Sequence, residues 1–234
     1  MKLEICANSY QSALNAQKAG ADRIELCSEL SAGGITPSYG LLKKISEEIT
    51  IPVSVLIRPR SGNFRYSDDE FDIMKNDIKI CKELGFSGIV SGVLNSDNSV
   101  DIHRTKELVA LAKPLKFTFH RAFDCVKNPK ETLAILIDLG VSRILTSGLQ
   151  EKAENGIDLL IELQELAGEK LLILPGSGID ENNVILFKKA GFKEVHASAS
   201  KIISTEKSLF FGNTLQTISD VQKIKNILKE IQNA

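Results

Sequence analysis

The chain has 234 residues, 43% hydrophobic and 25% charged, with 29 basic and 30 acidic side chains for a net charge of −1. That is ordinary globular material, enough for one large core and better suited to one α/β barrel or one doubly wound domain than to two small ones. The near-zero balance, without a basic stretch, argues against a nucleic-acid partner, and no apolar run approaches the ~18 residues of a membrane span.

The first segment runs straight into a strand, with no signal-peptide pattern. Four cysteines, Cys6, Cys27, Cys81 and Cys125, lack CxxC spacing. They read as reduced thiols of a cytoplasmic protein, not as a disulfide frame. Strands are expected at 2–8, 23–28, 52–58, 88–94, 116–121, 143–147, 171–175 and 194–199. Helices are expected between them at 9–19, 38–49, 68–84, 101–112, 129–139, 156–167 and 181–190, and a last one near 219–232. In the third helix Phe71, Met74, Ile78, Cys81 and Leu84 form one stripe, as a core-facing helix requires. Ser67 followed by Asp68, Asp69 and Glu70 reads as its N-terminal cap. Four phrases (KAGADRIEL, ELGFSGIVSG, DLGVSRILTSG and KAGFKEVHAS) repeat one design of helix end, glycine and next strand. Eight such units predict a single closed (β/α)8 barrel over 1–234. The alternative, an open doubly wound sheet, lacks a GxGxxG after the first strand.

The first two strands carry polar residues in alternate positions. Glu4, Cys6 and Asn8 alternate with Leu3 and Ile5, and Glu25 and Cys27 with Ile24 and Leu26. Thr118 and His120 share a face of the fifth strand, and His196 and Ser198 of the eighth. Side chains alternate across a strand, so these faces predict one polar, partly wet cavity. In a barrel the chemistry sits at the C-terminal ends of the strands. Arg58 and Arg60 flank Pro59 there. Two guanidinium forks on a stiff segment suit a carboxylate or phosphate. A rim ion pair with Glu4, Glu25 or Asp124 explains them equally well. Gly176, Ser177 and Gly178 end the seventh strand, where barrels often bind anions, or where a turn simply needs positive φ. His120 or His196 is the expected proton carrier, Glu25 its acidic or orienting partner, and Arg58 the anchor of an anionic substrate. Cys6 and Cys27, in phase on neighbouring strands, could share a soft cation such as Cu(I) or serve as small core fillers. His103 reads as solvated, Cys81 as structural, and Cys125 as a loop residue without a partner.

Five stretches, RIELCSEL…GGITPS (23–38), IRPRSGNFRYSDDE (57–70), TFHRAFD (118–124), ILTSG (144–148) and EVHASA (194–199), resemble the CutC family, named for copper homeostasis. The resemblance covers about residues 1–200. It implies a TIM-type barrel, a cytoplasmic location and a link to copper tolerance. It also implies Cys27 and then Cys6 as Cu(I) ligands, and a polar pocket of Glu4, Glu25, Arg58, His120, Asp124 and His196. No organic cofactor is implied. Two classes remain open, a Cu(I)-handling protein and a barrel enzyme for a small anionic metabolite. The segment 201–218, with Phe210, Phe211 and Gly212, departs from the resemblance. It is expected to cover the barrel mouth or to make the contact of a homo-oligomer.

Overall fold

A computed structural model describes residues 1–208 and 212–233. Eight parallel strands form the barrel: β1 (Lys2–Ala7), β2 (Arg23–Leu26), β3 (Val53–Leu56), β4 (Gly88–Ser91), β5 (Lys116–Phe119), β6 (Arg143–Thr146), β7 (Leu172–Pro175) and β8 (Glu194–Ala197). The helices that follow them are α1 (Tyr10–Ala19), α2 (Tyr39–Glu48), α3 (Asp68–Glu83), α4 (Ile102–Ala112), α5 (Pro129–Asp138), α6 (Ile157–Ala167), α7 (Val184–Lys189) and, later, α8 (Val221–Asn233). The hydrogen-bonded order runs β7-β6-β5-β4-β3-β2-β1-β8. The ring closes where β7 meets β8, through an isolated bridge between Gly176 and His196. Pro175 brings no N–H to that seam, which accounts for its sparse pairing. The expected (β/α)8 barrel is therefore the fold.

The strands are shorter than expected by up to three residues, because the polar residues after them belong to loops at the barrel mouth. The cap on α3 is a full capping box, with Ser67 and Glu70 satisfying each other's backbone N–H groups. Between β8 and α8 the chain forms an antiparallel hairpin, β9 (Ser200–Ser208) and β10 (Gly212–Ser219). That hairpin was not expected, since Ser-Lys-Ile-Ile-Ser-Thr-Glu-Lys-Ser shows no clean two-residue period. Phe210 and Phe211 lie outside the described residues. At its base the hairpin is tied to the loop after β1 and to α1: Asn8 donates to the Thr217 carbonyl and hydroxyl oxygens, and Asn15 of α1 donates to the Ser219 carbonyl.

Alternation divides the barrel into two chemistries. Leu3, Ile5, Ile24, Val55, Ile144 and Val195 join helix residues such as Ala13, Met74, Leu136 and Ile227 in one outer apolar core. The opposite phase fills the barrel interior. Near the N-terminal ends of the strands, Arg23 donates from Nε to Glu4 Oε2 at 2.5 Å and from Nη2 to Glu194. Arg143 lies 3.6 Å from Glu194, donates to Thr118 Oγ1 at 3.0 Å and reaches across the barrel to Ser54 Oγ at 3.5 Å. Burial opposes ionisation of Glu4, but His196 and Arg23 outweigh it and hold the carboxyl far below its usual range. Buried charges of this kind are tolerated only as a complete set.

Arg23→Ala should therefore leave two buried carboxylates short of their main partner. The expected loss is about 3–5 kcal/mol in urea unfolding. A loss below about 1 kcal/mol, the scale of an exposed pair, would contradict the role given to this floor.

Candidate functional site at the barrel mouth

Above that floor the C-terminal ends of the strands surround a cavity of about 520 Å³. Its wall includes Cys6, Glu25, Cys27, Arg58, His120 and His196, all predicted from sequence. Asp124, Ser177 and Gly178 also line it, whereas Gly176 belongs to the β7–β8 seam and not to the cavity wall. Leu30, Leu56, Leu145, Ile179 and Ala197 supply an apolar part, and Phe64 stands beside them. None of the described hairpin residues lines this cavity.

The two thiols meet near its base. In the β1–β2 register Cys6 stands opposite Glu25, and Cys27 follows two residues on. Cys6 Sγ is 3.7 Å from Cys27 Sγ and 3.9 Å from Glu25 Oε1. One ligand atom each of Cys6, Glu25 and His196 lies within 4.8 Å of the others. His196 Nδ1 is 2.8 Å from Glu4 Oε1, so Nε2 is the nitrogen left to work with.

Electrostatics separates these groups. Burial pushes the Glu25 carboxyl up to about 7, with the His196 and Glu4 charges pulling in opposite directions. The hydrogen bond to Cys27, and then burial, push the Cys6 thiol well up. Burial alone would lower His196, but the Glu25 charge and the bond to Glu4 carry it upward. His120 moves the other way, down to about 3, through burial and the nearby Arg58 charge. Burial thus favours the neutral imidazole at His120, the form that carries a single ring proton. The Ala122 N–H donates to its Nδ1 at 3.2 Å. The ring proton therefore sits on Nε2, which is buried without a partner. Gly92 makes room for this ring, since a Cβ there would lie 2.8 Å from it. Among the expected site groups, burial raises Glu25 to about 7, and its Oε2 is buried and unpartnered.

Three other expectations change. Arg58 forms no ion pair with Glu4, Glu25 or Asp124; its guanidinium donates to the carbonyls of Ala32, Gly34 and Gly62. Arg60 pairs with Glu70 at 2.5 Å and shapes the rim loop outside the cavity. Asp124 is saturated by protein donors: Thr146 Oγ1, the N–H groups of Ser147 and Leu149, Ser147 Oγ and Arg121 Nε. It pins the loop after β6. Ser177 likewise spends its hydroxyl on the Glu151 carbonyl. Cys81 is fully buried in the outer core, His103 is exposed, and Cys125 is exposed at the cavity edge. Sequence reading passed over Arg23, Arg143 and Glu194, although a charge at an inward position of each strand signals an ionic floor. It also passed over Phe64, whose ring lies 4.8 Å from His120 and 5.0 Å from the Arg58 guanidinium carbon.

The CutC family profile matches residues 1–201. A CutC family protein of Klebsiella pneumoniae (strain 342) is 48% identical over 204 residues, 87% of this chain and 82% of the relative. One of Photorhabdus laumondii is 46% identical over 226 residues, 96% of this chain and 91% of the relative. A crystal structure from Streptococcus agalactiae, described as a copper homeostasis protein CutC, superposes with a TM-score of 0.80 at 34% identity, covering 85% of this chain and 98% of its own. Thiamine phosphate pyrophosphorylase from Pyrococcus furiosus shares the barrel fold at a TM-score of 0.63, with 11% identity over 99% of this chain and 95% of its own.

Glu25 yields a test of the site's electrostatics. Its folded pKa lies above the ordinary 4.5, so the folded state keeps the proton longer than the unfolded chain does. Its contribution to stability is complete below pH 4.5 and declines as pH rises to about 7. In the metal-free protein Glu25→Gln should therefore add on the order of 2–3 kcal/mol at pH 8 and little at pH 4.5. Urea unfolding at both pH values measures this. An equal effect at the two would show that Glu25 ionises normally.

Proposed function

The chain belongs to the CutC family, and from that premise we propose that it takes part in copper homeostasis by holding Cu(I) as cargo at the mouth of its barrel. The ligands are Cys6 and Cys27, with His196 or Glu25 completing the site. The observation that carries this reading is the thiol pair: two Sγ atoms 3.7 Å apart, with Glu25 and His196 ligand atoms around Cys6.

The donor set fits the ion. Thiolates are soft ligands that select Cu(I), and imidazole can complete a low-coordinate site. Glu4 accepts at His196 Nδ1 and leaves Nε2 for the metal, as carboxylates do behind metal-bound histidines. Cys6 and Cys27 line a cavity at the barrel end but are buried, at 5% and 0% exposure, so loading the ion requires the mouth to open around them. A reducing cytoplasm, the location this reading assigns, would keep both thiols free. No described helix is long and apolar enough to cross a membrane.

Proton linkage follows from the same geometry. The Cys6 proton is held by the Cys27 contact and by burial, and Cu(I) must displace it. A competition titration against a chromophoric Cu(I) chelator, under reducing conditions, should give one Cu(I) per chain with affinity that rises with pH. Cys6→Ser and Cys27→Ser should each weaken binding at least about tenfold, since each removes a thiolate. Unchanged affinity in the double variant would refute the site.

A further inference from the structure

Arg58 is a buried cation without an anion. The residue is 5% exposed. Its guanidinium donates to Ala32 O at 2.9 Å, Gly34 O at 2.7 Å and Gly62 O at 2.7 Å. Gly33 and Gly34, both at positive φ, turn the loop after β2 back so that these carbonyls face the arginine. Carbonyl dipoles orient a guanidinium but do not cancel its charge. Among the described residues no carboxylate forms a salt bridge with it. Its Nε–H has no acceptor; the Tyr66 hydroxyl lies close by but outside hydrogen-bond geometry. Proteins pair their buried charges, and the floor of this same barrel does so.

His120 lies next to it and is 4% exposed. Its tautomer is set by the Ala122 N–H, so the unpartnered Nε2 is a donor. A cation and an N–H donor thus stand together in one cavity wall, and what both lack is an acceptor with negative charge. The charge count favours one carboxylate: it brings a single negative charge and two oxygens to one guanidinium and one N–H. A phosphate would bring nearly twice the charge and a third oxygen for which no further unpartnered cation is at hand. The remaining wall is aliphatic, with Leu30, Leu56, Leu145 and Ile179. A volume of about 520 Å³ falls in the ~300–1,000 Å³ range of small-molecule sites.

We propose that Arg58 and His120 bind the carboxylate of a small organic acid, whose aliphatic body lies in the barrel mouth. Neither nitrogen is open to solvent, and the Phe64 ring rests against both side chains. Seating the acid therefore means moving groups that cover the two donors, and the Phe64 ring, which touches both side chains, is the one shared by them. The site does not depend on the copper reading. Its ligand is organic, and the test below uses metal-free protein.

Thermal unfolding and calorimetric titration of the metal-free full chain decide the matter, with acetate, pyruvate, succinate and inorganic phosphate as probes in a buffer free of carboxylates. At millimolar concentration at least one carboxylate should raise the midpoint by about 2 °C or more. Arg58→Gln should lose that shift. His120→Asn retains an acceptor for the Ala122 N–H but has no Nε2–H. It should bind the same acid at least about tenfold more weakly, and it decides the question if Arg58→Gln does not fold. Phe64→Ala should bind at least as tightly as wild type. No shift with any carboxylate, a shift with phosphate alone, or equal binding by His120→Asn would each overturn the proposal.

Discussion

Glu4 is the joint between the two halves of this barrel. One of its oxygens receives Arg23 Nε at 2.5 Å, and the other lies 2.8 Å from His196 Nδ1. The strand register dictates both contacts, because Glu4 pairs with Arg23 on β2 and with His196 on β8. Everything above it depends on that arrangement. Arg23 and His196 keep the carboxyl ionised against the cost of burial. The ionised carboxylate in turn holds His196 through Nδ1, in a ring that stands beside Cys6 and Glu25. A neutral or displaced Glu4 would free the imidazole and raise the cost of every neighbouring charge.

Floor and mouth obey different rules. On the floor Arg23, Arg143, Glu4 and Glu194 complete one another. Among the described residues lining the mouth, Glu25 Oε2, His120 Nε2 and Arg58 Nε are buried without a partner. Each such atom costs about 1–3 kcal/mol, in a fold whose whole stability is on the order of 5–15 kcal/mol. Packing alone has no use for that expense, since aliphatic side chains of similar volume would avoid it. The thiol pair lies in the same lining. The mouth therefore combines soft donors at the base with an uncompensated positive charge on the wall, and the two are separate chemical demands within one cavity.

Most of the barrel was legible because its periods are strong. Strand-and-helix units recur eight times, five of the helices followed by glycine, and few topologies satisfy that pattern. Phase also placed Cys6, Glu25, Cys27, His120 and His196 in one cavity. What alternation does not reveal is who satisfies whom. Arg58 read equally as the anchor of an anion or as half of an ion pair; its partners are the backbone carbonyls of Ala32, Gly34 and Gly62, in loops that carry Gly33, Gly34 and Gly62 at positive φ. Asp124 was expected in the polar pocket or in a rim ion pair with Arg58 or Arg60; it lines the cavity, but loop N–H groups after β6 and Arg121 hold it. His120 was named with His196 as a proton carrier; alternation could not show that a backbone N–H two residues on fixes its tautomer or that burial moves its pKa down. The hairpin of β9 and β10 was missed because its residues carry no clean alternation.

The central claim is that the two thiols at the mouth act as one site. X-ray absorption at the copper edge, on protein loaded anaerobically with one equivalent of Cu(I), tests it most directly. The account predicts two sulfur neighbours and one nitrogen or oxygen neighbour, with one sulfur lost in Cys27→Ser. A first shell of nitrogen and oxygen alone, or one unchanged by that substitution, would contradict it.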